Sequence, residues 1–168
     1  MRAKAQWPYD ALPEVPSFEL VSDDVAEGRQ MDVAHAHPGL GGASRIPHLR
    51  WSGFPAETVG FAITCFDPDA PTGSGFWHWS AVGIPADVTE IRGGLPDGAF
   101  CVRNDYGDKE FGGAYPPAGD PPHRYIFAVH ALGQPITDVD EDASPAAVGF
   151  NLTFATIARA TLTPVFGH

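Results

Sequence analysis

Prolines and glycines interrupt this chain throughout: 17 Pro and 19 Gly fall among 168 residues, with no collagen-like period and no low-complexity tract. Pro fixes φ and removes a backbone donor, while Gly opens turns, so the elements between them stay short. Hydrophobic residues still make up 43% of the chain and charged ones only 18%, which is ample for a buried core. The pattern predicts short strands joined by many turns and ordered loops.

The run Thr58–Phe66 is rich in β-branched and aromatic residues and reads as a buried strand. Further strands are expected at Phe18–Val21, after the Gly28-Arg29-Gln30 turn, at Phe76–Ile84 before Pro85, at Ala99–Arg103, and at His123–Leu132. Apolar residues occupy both parities of several of these runs, which predicts cover on both faces. One helix is expected near the C-terminus: Ser144 caps it and Pro145 takes its first position. Phe150, Phe154, Ile157 and Ala158 recur there at three- and four-residue steps and predict an amphipathic cover. Strands first and a helix last predict a mainly β protein, an antiparallel, Greek-key-like β-sandwich with a few peripheral helices. Residues 1–16, rich in Pro, read as an extended arm on the surface or on a partner subunit, and residues 17–168 as one domain.

Charge narrows the partners. Ten Lys plus Arg against 21 Asp plus Glu give a net charge of −11, which repels polyanions at long range, so nucleic acid is not expected. The N-terminus carries no apolar core of the kind a secretory signal needs and no run approaches the ~20 residues of a membrane span, so a cytoplasmic protein without integral membrane association is expected. Cys65 and Cys101 read as separate small core residues, with a bridge between them as the alternative. The glycine-rich loop Pro38-Gly39-Leu40-Gly41-Gly42 lacks the Gly-Lys-Ser/Thr ending of a phosphate-binding loop, and no cofactor is expected.

The chemistry gathers in Asp67-Pro68-Asp69-Ala70-Pro71, in His78 within Phe76-Trp77-His78-Trp79, in Gly112-Gly113-Ala114-Tyr115-Pro116-Pro117, and in His123-Arg124-Tyr125. Pro68 and Pro71 stiffen the loop that carries two carboxylates. By the period-two rule His78 shares a strand face with Phe76 and Ser80, opposite the core residues Trp77 and Trp79, and His123 shares one with Tyr125. The same rule turns Arg124 away from them, toward an ion pair. His130 reads as a structural histidine, and His35 and His37 as surface histidines without the further ligands a metal needs.

In order and spacing these blocks resemble the phosphatidylethanolamine-binding protein family, in its bacterial Raf-kinase-inhibitor-like branch, from about Ser17 through the final helix. The resemblance implies a β-sandwich with a small anion-accepting pocket, formed at Asp67, Asp69, His78, Gly113, Tyr115, Pro117, His123 and Tyr125. Tyr115 stands where relatives commonly carry a small residue and would narrow or cover the pocket. Imidazole and phenol donors beside carboxylate acceptors suit a phosphate ester or a phospholipid headgroup. A non-catalytic binding protein is expected, one that regulates a protein partner such as a kinase. The alternatives are an inhibitor of proteases or kinases acting through surface loops, and a phosphoester hydrolase, against which stands the lack of a recognisable nucleophile or metal set. The arm and the apolar helix face favour a homodimer.

Overall fold

The computed structural model of the protein describes residues 3–168. Ten strands and one α-helix follow one another among the described residues. In order they are β1 (Glu19–Val21), β2 (Leu49–Ser52), β3 (Gly60–Asp67), β4 (Phe76–Pro85), β5 (Glu90–Ile91), β6 (Phe100–Cys101), β7 (His123–Arg124), β8 (Ile126–Leu132), α1 (Pro145–Ala155), β9 (Thr156–Leu162) and β10 (Val165–Phe166). A five-stranded antiparallel sheet in the order β6-β4-β3-β8-β9 forms the centre; β1-β2-β5 and β10-β7 form two smaller sheets. The architecture is the expected mainly β, antiparallel one.

Alternation along the central strands sorts their side chains into two layers. Phe61, Ile63 and Cys65 of β3, Trp79 and Ala81 of β4, and Phe127 and Val129 of β8 share a core with Leu20, Leu49, Trp51 and Ile91 of the three-stranded sheet. The opposite parity, with Ala62, Val82 and Leu132, packs under Val148, Leu152 and Ala155 of α1. Both faces of the central sheet are therefore covered, one by strands and one by a helix. Trp51, Trp79, Phe61 and Phe127 are at most 2% exposed, and each such ring contributes roughly 1.5–3 kcal/mol of burial.

Five expectations need correction. No strand follows residues 28–30; single turns of 3-10 helix at Val33–His35 and Pro38–Leu40 lead to β2 instead. The run His123–Leu132 breaks at Tyr125, so that β7 pairs with β10 while β8 joins the central sheet. The helix stops at Ala155, and Ile157 and Ala158 belong to β9, whose buried residues alternate from Thr156 to Leu162. Its buried face is Val148, Leu152 and Ala155, whereas Phe150 and Phe154 are 67% and 69% exposed. His35 is fully buried and donates from Nδ1 to the Arg45 carbonyl at 2.7 Å, and the ring of His37 stacks on that of Tyr115 with centroids 5.0 Å apart.

The arm lies on its own chain. Arg124 donates to the Ala5 carbonyl at 2.7 Å, and the Arg159 guanidinium sits 4.1 Å from the centre of the Tyr9 ring. Beneath Tyr9, His130 is fixed in one tautomer: Arg159 Nε donates to its Nδ1 at 3.2 Å, so its Nε2–H donates to Thr64 Oγ1 at 2.9 Å. Burial first, and then the Arg159 charge, press its pKa down to about 3. The structural reading of His130 thus has a defined network behind it.

Candidate functional site

The β3–β4 connection places the first carboxylate. Asp67 is the last residue of β3 and pairs with Phe76, the first of β4. Between them the chain reverses through Pro68, Pro71 and Gly75, the last with φ +69°. A Cβ on Gly75 would come within 2.4 Å of the Phe66 ring, so this reversal needs glycine for conformation and for space.

A bulge then aims His78. The register runs Cys65↔Trp79 and Phe66↔Trp77, which leaves His78 as the extra residue of β4. Trp79 therefore joins Cys65 in the core, while Trp77 lies over Phe66 on the other face with ring centroids 4.4 Å apart. This corrects the parity argument: the two tryptophans lie on opposite faces, and Ser80 pairs with Thr64 outside the inter-sheet core. His78 still lies beside Phe76, with ring centroids 4.9 Å apart.

Gly112 grips His78 from both ends. Its N–H donates to the His78 carbonyl at 2.9 Å, and His78 Nδ1 donates to the Gly112 carbonyl at 2.8 Å. The neutral ring thus carries its hydrogen on Nδ1 and leaves Nε2 to the cavity that His78 lines. Burial, chiefly, presses the pKa of His78 down to about 4. A Cβ on Gly112 would meet the Tyr106 ring at 2.5 Å, and one on Gly113 would meet the Ala36 carbonyl carbon at 2.3 Å. The glycine pair lets this loop close over His78.

β7 brings the second imidazole. His123 Nδ1 lies 2.8 Å from Asp67 Oδ2 and its Nε2 lies 3.1 Å from Asp120 Oδ2, so the ring spans two carboxylates. The other oxygen of Asp67 accepts from the Asp69 N–H at 2.8 Å. Asp67, His78 and His123 are each at most 3% exposed. Desolvation pushes the Asp67 pKa up, against the opposing effect of His123.

These three side chains line one cavity of about 200 Å³, together with Tyr115 and Pro117. Asp69, Gly113 and Tyr125 stand outside its wall. Asp69 is held by Arg124, which donates from Nε at 2.8 Å and from a terminal nitrogen at 2.7 Å. Gly113 donates to Ser44 Oγ at 3.0 Å. Tyr125 is buried with its ring against His78, centroids 5.1 Å apart. Phe76 and Tyr106 complete the wall. Tyr106, from the polar Asn104–Gly107 segment, went unrecognised in the sequence because its loop has no strand parity to read. Its hydroxyl donates to the Gly113 carbonyl at 2.9 Å, and burial pushes its pKa up.

Among the described residues, the cavity wall contains no Lys or Arg. Beside the hydroxyls of Thr72, Tyr106 and Tyr115, of which the first two already donate to the Gly75 and Gly113 carbonyls, it presents a carboxylate, an imidazole lone pair and the His123 ring between two acids, an acceptor-rich set that favours a ligand bringing its own hydrogens. Among the described residues no group of three or more His, Cys, Asp or Glu is placed to hold a metal ion. Cys65 and Cys101 are free thiols, both pushed to higher pKa by burial.

Comparison with known proteins gives a consistent result. A family model described as phosphatidylethanolamine-binding protein matches residues 21–167. Protein YbhB of Escherichia coli K12 is 45% identical over 158 residues, covering 89% of this chain and 99% of YbhB. Protein YbcL of the same organism is 45% identical over 163 residues, 91% of this chain and 89% of YbcL. The crystal structure of YbcL, described as a member of the mammalian PEBP family, superposes with a TM-score of 0.87 at 44% identity, covering 90% of this chain and 99% of that one. The Chlamydia trachomatis homologue CT736 has the same fold, with a TM-score of 0.79 at 23% identity over 90% of this chain and 98% of its own.

Proposed function

Because this chain belongs to the phosphatidylethanolamine-binding protein family, we propose that it is a non-catalytic binding protein whose cavity at Asp67, His78 and His123 holds a small phosphate ester or phospholipid headgroup. The observation that carries this reading is the joining of those three buried polar side chains around one hollow of about 200 Å³. Phosphate monoesters are dianionic when fully ionised, with a second pKa of about 6. The monoprotonated form suits this wall better, because its P–OH can donate to His78 Nε2 or to the Asp67 carboxylate. An ammonium group, as in an ethanolamine headgroup, meets the same acceptors. Tyr115, 48% exposed and stacked on His37, forms part of the rim.

A binding role is favoured over hydrolysis because the acid and base candidates are engaged with one another. Asp67 bonds to His123 and to the Asp69 N–H, and His78 Nδ1 is committed to Gly112. Occupancy of the cavity then bears on the neighbouring loops, which is how a protein partner such as a kinase would sense the ligand. No helix among the described residues is long and apolar enough to cross a membrane, and a cytoplasmic location is part of the proposal. Isothermal titration with inorganic phosphate and with phosphoethanolamine tests it. Binding to the native chain that is lost in both His78→Ala and Asp67→Ala, with the fold intact by circular dichroism, is the expected result; unchanged affinity in both variants rejects the reading.

A further inference from the structure

A separate hollow of about 200 Å³ lies between the N-terminal arm and β9, and it shares no lining residue with the cavity at His78. Trp7, Tyr9 and Val15 of the arm give it apolar walls, Asp10 and Glu14 give it two exposed carboxylates, and β9 contributes Arg159. The backbone holds the arm there, since the Arg159 N–H donates to the Pro16 carbonyl at 2.9 Å. Arg159 stands apart from the other cations. Lys109, Arg124 and Arg159 are the partly buried Lys and Arg among the described residues. Lys109 pairs with Asp142 at 2.9 Å and Arg124 with Asp69 at 2.7 Å. Arg159 has no carboxylate within ion-pair distance among the described residues: its Nε is given to His130 and one face of its guanidinium to the Tyr9 ring. The donors on its terminal nitrogens have no acceptor among those residues. Burial lowers its pKa, and no carboxylate is among the groups that oppose that effect. A guanidinium keeps its proton at neutral pH, so this partly desolvated charge calls for an anion that the fold does not supply.

We propose that this hollow binds the zwitterion of a small amino acid, with its carboxylate on the terminal nitrogens of Arg159 and its ammonium toward Asp10 and Glu14. The guanidinium fork matches a planar carboxylate in bidentate fashion. A ligand with a carboxylate alone meets Arg159 but also faces two acids of the same wall; an ammonium on the ligand turns those acids from a repulsion into partners, so the zwitterion answers all three charged lining residues. The volume is below the roughly 300–1,000 Å³ of pockets that take drug-sized ligands. The occupant is therefore small, and Trp7, Tyr9 and Val15 offer a surface to a short apolar side chain. Because the arm supplies most of the walls and β9 the cation, a bound zwitterion staples the arm onto the edge of the central sheet.

Titration calorimetry with leucine, with isocaproate, which lacks the ammonium, and with isopentylamine, which lacks the carboxylate, separates the two contacts. Leucine is expected to bind tightest. Losing the carboxylate forfeits a charge-assisted pair with a partly buried partner and should weaken binding about tenfold or more. Losing the ammonium, which faces exposed acids, should weaken it about threefold. The indole N–H resonance of Trp7 and the Nε–H resonance of Arg159 should shift with leucine and with glycine. Asp10→Asn combined with Glu14→Gln, both at exposed positions, should erase the preference for leucine over isocaproate and leave phosphate titration of the other cavity as in the native chain. Arg159→Gln should abolish binding of both acids. Since Arg159 also orders His130, Trp7→Ala is the variant that leaves that network in place, and it should weaken leucine binding about threefold through lost apolar contact. Resonances that neither leucine nor glycine moves, isopentylamine binding as tight as that of leucine, or a leucine preference that survives the Asp10→Asn, Glu14→Gln variant overturns the proposal.

Discussion

Asp67 Oδ2 lies 2.8 Å from His123 Nδ1, joining the last residue of β3 to the first of β7 across 56 positions of sequence. Both side chains are almost wholly removed from solvent. A buried carboxylate whose pKa is raised by desolvation is an expensive group to keep charged, and the imidazole offsets that cost only in part. Asp67→Asn keeps the shape and removes the charge, so it is expected to alter stability by only about 1 kcal/mol in urea denaturation. Asp67→Ala leaves the Asp69 N–H and His123 Nδ1 without their acceptor and is expected to cost about 1–3 kcal/mol. Both should lose phosphate binding. Asn and Ala of equal stability would show that the link to His123 is structurally idle.

Gly112→Ala tests how the loop closes on His78. The new methyl meets the Tyr106 ring at 2.5 Å, and that ring is itself wedged against Phe76 and His78. Overpacking of this kind typically costs 1–3 kcal/mol. Tyr106→Ala removes the obstacle, so the double variant should recover part of the loss. A double-mutant cycle without coupling would mean that the loop shifts freely and that the glycine is not needed for space.

Much of this architecture is legible in the sequence because burial and turn chemistry are local signals. Thr58–Phe66 announces β3 through its β-branched and aromatic residues, and Ser144-Pro145 announces the start of α1. What parity could not supply is the bulge at His78: one extra residue sends Trp77 and Trp79 to opposite faces, and no composition cue marks it. Nor could spacing separate α1 from β9. Ile157 and Ala158 continue a helical period by chance, and pairing with β8 overrides it. Tyr106 was hidden for a related reason, since its position at the cavity depends on contacts with residues 76, 78 and 113 that only the fold creates.

The two exposed phenylalanines of α1 yield a direct contrast. Phe150 and Phe154 touch each other, centroids 5.1 Å apart, on a helix without a single charged residue. Phe150→Ser with Phe154→Ser is expected to change stability by no more than about 0.5 kcal/mol per site, as for other surface substitutions. Leu152→Ala, on the buried face, should cost about 2–5 kcal/mol. If the expected homodimer forms through this face, the double serine variant will also sediment as a monomer where the native chain does not. Large destabilisation by the serines would place those rings in a core.

Stability should fall as the solution is acidified from neutrality. His78 and His130 are buried in neutral form, with pKa values pressed down to about 4 and about 3 from an ordinary 6.5. In the window from about pH 6.5 down to those values the unfolded chain binds protons that the folded chain refuses, so stability is lost as pH falls through it. Each group contributes a slope of up to about 1.4 kcal/mol per pH unit. Asp67 acts with the opposite sign, because its raised pKa lets the folded chain hold a proton above the range where the unfolded one does. Urea melts between pH 7 and 4 should show the net decline, and His130→Gln should flatten it; a flat native profile would mean that neither ring is held neutral.

Ligand affinity should follow the ligand's proton, not a lysine or arginine of the cavity wall, since there is none among its lining residues. His78 presents a lone pair and Asp67 a carboxylate, both of which repel a phosphate dianion and accept from its monoprotonated form. Phosphate monoesters lose that proton with a pKa of about 6, so binding is expected to weaken by up to about tenfold per pH unit above that value. A phosphate diester, which does not titrate in the range, separates ligand from protein. If diester binding is level between pH 6 and 8 while monoester binding falls, the proton that matters is the ligand's. If both fall together, a group of the protein is titrating instead, and the acceptor character assigned to the cavity wall is wrong.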